Sequence, residues 1–397
     1  MELFYEGKKP ESAIRATTVP ADLYGFDPTR NALISGDNLP ILRALAENSL
    51  IRGNVDMIYI DPPFSTNLKF TYGGARVSTI SSKKTDALAY SDKRTGAAFL
   101  EFLRERLIFA RDLLSDRGSI YLHIDCKVGH YVKLVMDEIF GAENFRNDIT
   151  RIKCNPKNFS RKAYGNVKDL ILFYSKTSSP IWNEPKEEYT DEDRARLFPK
   201  TDSNGRAYTT IPLHAPGETQ NGPTGGKFRG LLPPPGRHWR SAPDELEKLD
   251  AAGEIEWSGT GNPRRKIFAD AQRGKKMQDI WDFKDPPYPR YPTEKNFEML
   301  RSIVVASSEK GGIVLDFFCG SGTTLEAAQS LGRKWIGVDS SEIAIAVARE
   351  RMEKVCGAPA GESFQVVKAA EPDCAPILVL CENQSSTKKK KTARRKR

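Results

Sequence analysis

The residues Asp61-Pro62-Pro63-Phe64 stand at the end of an apolar run, VDMIYI, that begins at Val55. A run of this kind reads as a buried β-strand, and proline, which has no N–H to give a ladder, ends it. Asp61 and Phe64 are thereby held on a stiff corner just past the strand's carboxyl end. In open α/β sheets ligands sit outside that edge, so a carboxylate and a ring placed there could grip something flat and polar. The same four residues could equally form a strand-ending turn with a satisfied aspartate.

A second set lies in VLDFFCGSGTT, Val314 to Thr324. Asp316 falls near a strand end, and Gly320 and Gly322 fall in the turn that leads to a helix, where glycine lets backbone amides approach a ligand closely. Asp339 ends the next strand, at a distance in sequence where a carboxylate can accept the hydroxyls of a ribose. A nicotinamide dehydrogenase shares this layout but usually has a third glycine, and that position here is Leu325. A tight strand-helix turn with no ligand would also use these glycines.

The elements needed to position both sets are legible as alternating strands and helices. NALISGD reads as a strand to Asp37, LPILRALAE as a helix and VDMIYID as a strand. The apolar spacing of Phe99, Leu103, Leu107, Ala110 and Leu114 predicts a helix that Gly118 stops. SIYLHID and an amphipathic helix to Phe140 follow. The second region adds the Val314 strand, a helix to Leu331, the strand KWIGVD and a helix over SEIAIAVARERMEKV. Together they predict an α/β fold, one doubly wound and mostly parallel sheet with crossover helices.

Between the two regions the pattern breaks. ILFYSK reads as a strand, but most of residues 151–290 is irregular and rich in Gly, Pro and Arg, as functional or disordered segments are. Arg229, Arg237 and Arg240 fall in a stretch without acids, Arg264, Arg265 and Lys266 in a second basic run, and Phe228, Trp239 and Trp257 sit among them. That mixture suits phosphates and bases, although charged loop faces are common. The net charge of +9 says little, because eight of those charges lie in the tail Lys388 to Arg397 and leave +1 on the body. The tail, within 371–397, reads as a disordered solvated arm. Six scattered cysteines without a C-x-x-C pair, and only four histidines, argue for reduced thiols and no metal site. With no run of ~18 apolar residues and a charged start, a cytoplasmic protein without a membrane partner is expected.

Asp61 to Phe64 and Phe318-Cys319-Gly320-Ser321-Gly322 resemble the catalytic and cofactor motifs of S-adenosylmethionine-dependent amino-group DNA methyltransferases. The catalytic motif precedes the glycine motif with a long variable segment between, which is the β-group arrangement. ISGDN at Ile34 to Asn38, YPTEKN at Tyr291 to Asn296 and WIGVD at Trp335 to Asp339 fall where that group has its accessory motifs, and the middle segment is similar to that of type III modification subunits. Three departures stand out: Phe64 where tyrosine is commoner, Asp316-Phe317-Phe318 for Asp-Pro-Phe, and YPTEKN for Y-P-T-Q-K-P. A second match, Asp285-Pro286-Pro287-Tyr288, follows a polar segment and reads as a turn.

The resemblance implies a Rossmann-like methyltransferase sheet with a catalytic half at 1–150, an inserted target-recognition region at 151–290 and a cofactor-binding half at 291–370. It implies S-adenosyl-L-methionine as cofactor and double-stranded DNA as substrate, with methyl transfer to adenine N6. An adenine flipped from the duplex would stack on Phe64 and give its amino hydrogens to Asp61 and the Pro62 carbonyl, with Pro63 stiffening the corner. Phe318, Gly320, Gly322 and Thr323 would border the cofactor, Asp339 its ribose, Asp316 its ammonium, Asp37 its adenine ring, and Thr293 and Lys295 its carboxylate. The six basic residues named above would contact DNA. A homodimer and a restriction subunit are further partners that the resemblance admits. Cytosine-N4 transfer, or a non-catalytic DNA-binding protein on the same fold, are the alternatives.

Overall fold

A computed structural model describes residues 2–63, 69–72, 87–91, 96–156, 160, 162–219, 222–272, 274–287, 289, 291 and 294–370. Phe64, Thr293 and the tail 371–397 lie outside the described residues. The chain divides into two compact units, residues 1–183 with 279–397, and Glu184–Gln278.

The first unit is built on nine strands: β1 (Ala32–Ser35), β2 (Val55–Ile60), β3 (Leu114–Ile124), β4 (Phe145–Ile152), β5 (Lys168–Ser175), β6 (Ile280–Trp281), β7 (Ile313–Asp316), β8 (Lys334–Asp339) and β9 (Gln365–Lys368). Their order in the sheet is β6-β4-β5-β3-β2-β7-β8-β1-β9. Only β5 runs against its neighbours. Helices α1 (Glu11–Thr17), α2 (Asn38–Glu47), α3 (Gly96–Leu113), α4 (Cys126–Phe140), α5 (Phe297–Ser307), α6 (Thr323–Ser330) and α7 (Glu342–Cys356) complete it. Helices α2, α3 and α4 pack on one another, as do α5, α6 and α7. The doubly wound, mostly parallel sheet expected from the sequence is thus present. Its central strands carry apolar side chains on both faces, and Ile58, Ile60, Leu122 and Leu315 are fully buried.

Two local expectations need correction. Helix α3 ends at Leu113, and Leu114 to Ile124 is strand, so Gly118 does not stop the helix. A Cβ at Gly118 would stand 2.7 Å from the Val55 carbonyl, so its glycine serves a close approach of β3 to β2. The break expected at 151 is also too early. Leu170 to Tyr174 form a continuous buried apolar run, which places β5 inside the main sheet, and β6, which follows the second unit in sequence, closes the edge.

The second unit has its own architecture. An antiparallel sheet runs in the order Ile255–Trp257, Pro263–Phe268, Ala207–Pro212, Lys200–Thr201. His214–Pro216 pairs with Arg237–Trp239, and Leu213, Phe228, Trp239, Leu246 and Ile255 form a separate core. Among the described residues no helix is long and apolar enough to cross a membrane.

Candidate active site

The chain leaves β2 toward β3 on one side and leaves β7 toward β8 on the other, so β2 and β7 flank the switch point of the sheet. They pair in parallel, with Leu315 beside Ile58. Both motifs therefore open from neighbouring strand ends, into the crevice where such sheets bind ligands.

At the end of β2, Pro62 is buried and Asp61 is half-buried. The Asp61 Oδ2 atom forms an ion pair with Lys295 Nζ, while Oδ1 is buried and without a hydrogen-bond partner among the described residues. A buried acceptor left open costs free energy unless something fills it. Asp61 is therefore prepared for a donor that comes with a ligand. Phe64, the expected stacking ring, lies outside the described residues.

At the end of β7, Gly320 and Gly322 both take left-handed backbone conformations, with φ of 50° and 79°. Asp339 ties this turn to β8: its Oδ2 accepts from Gly320 N at 2.9 Å and its Oδ1 from Ser341 N at 2.9 Å. Asp316 is fully enclosed and accepts from Phe318 N at 3.0 Å. Burial pushes its carboxyl up to about 7, with the nearby charges of Asp61 and Asp339 adding to the shift and bonds from Thr324 and Phe318 opposing it. Burial also raises Asp339. Neither acid has an ion-pair partner among the described residues. A fully buried acid and a half-buried one beside a glycine turn suit a ligand with an ammonium and a ribose, so these residues fit S-adenosylmethionine.

The Asp316 shift has a measurable consequence. Its carboxyl titrates near 3.8 when unperturbed and near 7 in the fold. Between those values the folded state holds a proton that the unfolded chain has lost, so this group's contribution to stability is lost as pH rises through the window. The ligand-free protein is expected to melt lower at pH 8 than at pH 5 by a margin that Asp316→Asn reduces, as scanning calorimetry would show.

Some expected cofactor residues do structural work here. Asp37 caps α2 by accepting from Leu39 N at 3.0 Å and pairs with Arg106 at 2.9 Å, with its side chain 62% exposed. Arg106 in turn lies 3.6 Å over the Phe102 ring, which neighbours Phe318 at 6.0 Å. Asn38 donates to the Phe317 carbonyl at 2.6 Å, and Phe317 is fully buried, which accounts for an apolar ring where proline is commoner. The Thr323 hydroxyl accepts from Arg351 at 2.9 Å. Arg351 also pairs with Glu326 at 2.9 Å and with Glu294. The glutamate of YPTEKN is thus matched to a buried arginine on α7, a link that a local reading of either segment could not supply. Lys295 lies on Asp61, and Thr293 is outside the described residues.

A row of buried polar groups crosses the same edge and escaped the sequence reading: Tyr59 Oη meets His123 Nδ1 at 2.8 Å, and His123 Nε2 meets Asp169 at 3.3 Å. Lys153 donates to Asp169 at 2.6 Å. The signal was there in a histidine and an aspartate placed within otherwise apolar strands. Asp285 of the second Asp-Pro-Pro match accepts from buried Arg151 at 2.5 Å and is its counter-ion.

Of the six expected DNA contacts, Arg237, Arg240 and Arg264 converge on His214, which burial and these three charges hold below its ordinary value. Arg229 is instead paired with Glu247 at 3.1 Å and Asp250 at 2.8 Å. Arg265 and Lys266 are half-buried on consecutive positions of one strand, with Lys266 5.3 Å over the Tyr208 ring.

The family model described as DNA methylase (N6_N4_Mtase) matches residues 55–350. The type II methyltransferase M.EcaI of Enterobacter cloacae is 43% identical over 339 residues, which cover 84% of this chain and 71% of that protein. The Mod subunit of the type III restriction-modification enzyme StyLTI of Salmonella typhimurium is 30% identical over 348 residues. That match covers 77% of this chain and 51% of the Mod subunit, so the chain spans about half of that relative's length. A solved complex of M1.HpyAVI with SAM aligns over 81% of this chain and 99% of that one, with 17% identity and a TM-score of 0.42. The chain therefore belongs to the DNA methylase family: it is a DNA methyltransferase, and its cofactor is S-adenosylmethionine.

Proposed function

We propose that the methyl group goes to N6 of adenine at specific sites in duplex DNA, as part of a restriction-modification or related system. The observation that carries this reading is the buried Oδ1 of Asp61 at the β2 end, without a partner among the described residues and one strand from the glycine turn. An exocyclic amine is the donor this oxygen lacks. The base has to leave the helix stack to reach it, at a cost of a few kcal/mol.

In this mechanism Asp61 Oδ1 accepts one amino hydrogen and the Pro62 carbonyl the other, which turns the nitrogen lone pair out of conjugation. Phe64 supplies a stacking face. The cofactor, when bound, supplies an electrophilic methyl on a sulfonium. The amine nitrogen would take that methyl group and lose one of its two protons to solvent. No covalent bond to the protein is needed. Asp316 and Asp339 would hold the ammonium and ribose and so orient the two reactants, and such orientation can be worth roughly 7–11 kcal/mol.

Target recognition belongs in this reading to the inserted region, with Arg237, Arg240 and Arg264 on phosphates. Replacing Arg237 and Arg240 by alanine should weaken DNA binding for all sequences and lower the salt slope of log K by about 1 for each phosphate that is no longer neutralised. Fluorescence anisotropy across a salt series measures it. A homodimer and a restriction subunit are the protein partners of this reading, and the kinship to a Mod subunit supports the second. Its place of action is the cytoplasm.

Mass spectrometry of nucleosides from DNA treated with the purified enzyme tests the acceptor. N6-methyladenine is expected as the main product. N4-methylcytosine in its place would overturn the choice of base and leave the enzyme class standing.

A further inference from the structure

We infer that Lys295 is a positioning residue for Asp61 and not a ligand of the methionine carboxylate; the inference rests on the reading that Asp61 receives the acceptor amine. The backbone around Lys295 is pinned on both sides. Glu294 is fastened to Arg351, and Asn296 caps α5 by accepting from Met299 N at 3.1 Å while donating to the Lys284 carbonyl at 3.1 Å. Between these anchors the Lys295 side chain runs inward, 9% exposed, and places its ammonium on Asp61 Oδ2. A carboxylate is a rigid fork, so fixing Oδ2 fixes the direction of Oδ1, the oxygen with no partner among the described residues.

The division of labour between the two oxygens has a chemical purpose. An ion-paired carboxylate only accepts hydrogen bonds, which is what an amine giving up hydrogens requires. The charge-assisted contact is strong enough to hold one rotamer without any help from the ligand.

The test compares Lys295→Met with Asp61→Asn and the double variant. For Lys295→Met, kcat should fall on the order of 100-fold while KM for DNA and the calorimetric Kd for S-adenosylmethionine stay within about threefold, the pattern of lost orientation rather than lost binding. In thermal melts the two single substitutions should together cost less than their sum, because each breaks the same pair. If Lys295→Met does not fold, recovery of folding in Asp61→Asn/Lys295→Met carries the same test, and no recovery overturns the pairing. A weakened cofactor Kd with kcat preserved would return Lys295 to the methionine carboxylate and overturn the inference, as would additive melting shifts. Failure of the underlying reading looks different: Asp61→Ala would then remain active, whatever Lys295→Met does.

Discussion

Asp61→Ala is expected to abolish methyl transfer while leaving S-adenosylmethionine binding nearly intact. Asp61 sits at the end of β2, whereas the residues proposed to hold the cofactor lie at the ends of β7 and β8. Its Oδ1 has no partner among the described residues and its Oδ2 is held by Lys295. The substitution therefore removes the group that orients the acceptor amine and touches neither the glycine turn nor Asp339. Single-turnover assays at saturating cofactor, together with calorimetric titration, separate the two effects. A variant that kept more than about a tenth of wild-type turnover, a loss under ~1.4 kcal/mol, would contradict the role given to Asp61.

Gly322→Val should weaken cofactor binding at least about tenfold, through the protein rather than by direct obstruction. Gly322 has φ of 79°, a conformation that costs a side-chain-bearing residue roughly 1–2 kcal/mol and a β-branched one the most. A Cβ there would stand 3.2 Å from Ala348 Cβ on α7, so it points into helix packing and away from the crevice. The Gly322 carbonyl accepts from Glu326 N at 3.0 Å at the start of α6, and Gly322 N donates to the Cys319 carbonyl at 2.8 Å. A turn pushed off α7 pulls Gly320 N away from Asp339 and opens the cradle. Unchanged affinity by calorimetry would remove the glycine turn from the cofactor site, and a lowered melting temperature should accompany the loss.

The architecture was legible because alternation of strand and helix is a local property, visible in the apolar spacing of single segments. The places of Asp61, Asp316 and Asp339 were legible because each stands at the end of a recognisable strand. What local spacing hid is of two kinds. Gly118 looked like a helix stop because glycine serves both a C-cap and a close strand approach, and only the partner Val55 distinguishes them. Lys295 and Glu294 were read as members of one motif, yet each is decided by a residue far away, Asp61 and Arg351. Asp37 shows the converse, since a carboxylate beside a ligand crevice and a helix N-cap look identical in sequence. Its bonds to Leu39 N and Arg106 give it the second role without excluding the first.

Asp22 and Ala370 form an antiparallel bridge, with Ala370 N donating to the Asp22 carbonyl at 3.1 Å, so the first and last described segments of the sheet unit lie side by side. A linker that returns the chain from Ala370 to its first residues and keeps α1, with a new opening inside Glu184–Gln278, would give a chain whose glycine turn comes before its Asp-Pro-Pro corner. Every strand would keep its present neighbours, because β2 and β7 meet through the sheet and not through the chain between them. The linear order of the two motifs is thus a free parameter of this enzyme's genetics, and circular permutants opened in the inserted unit should remain foldable.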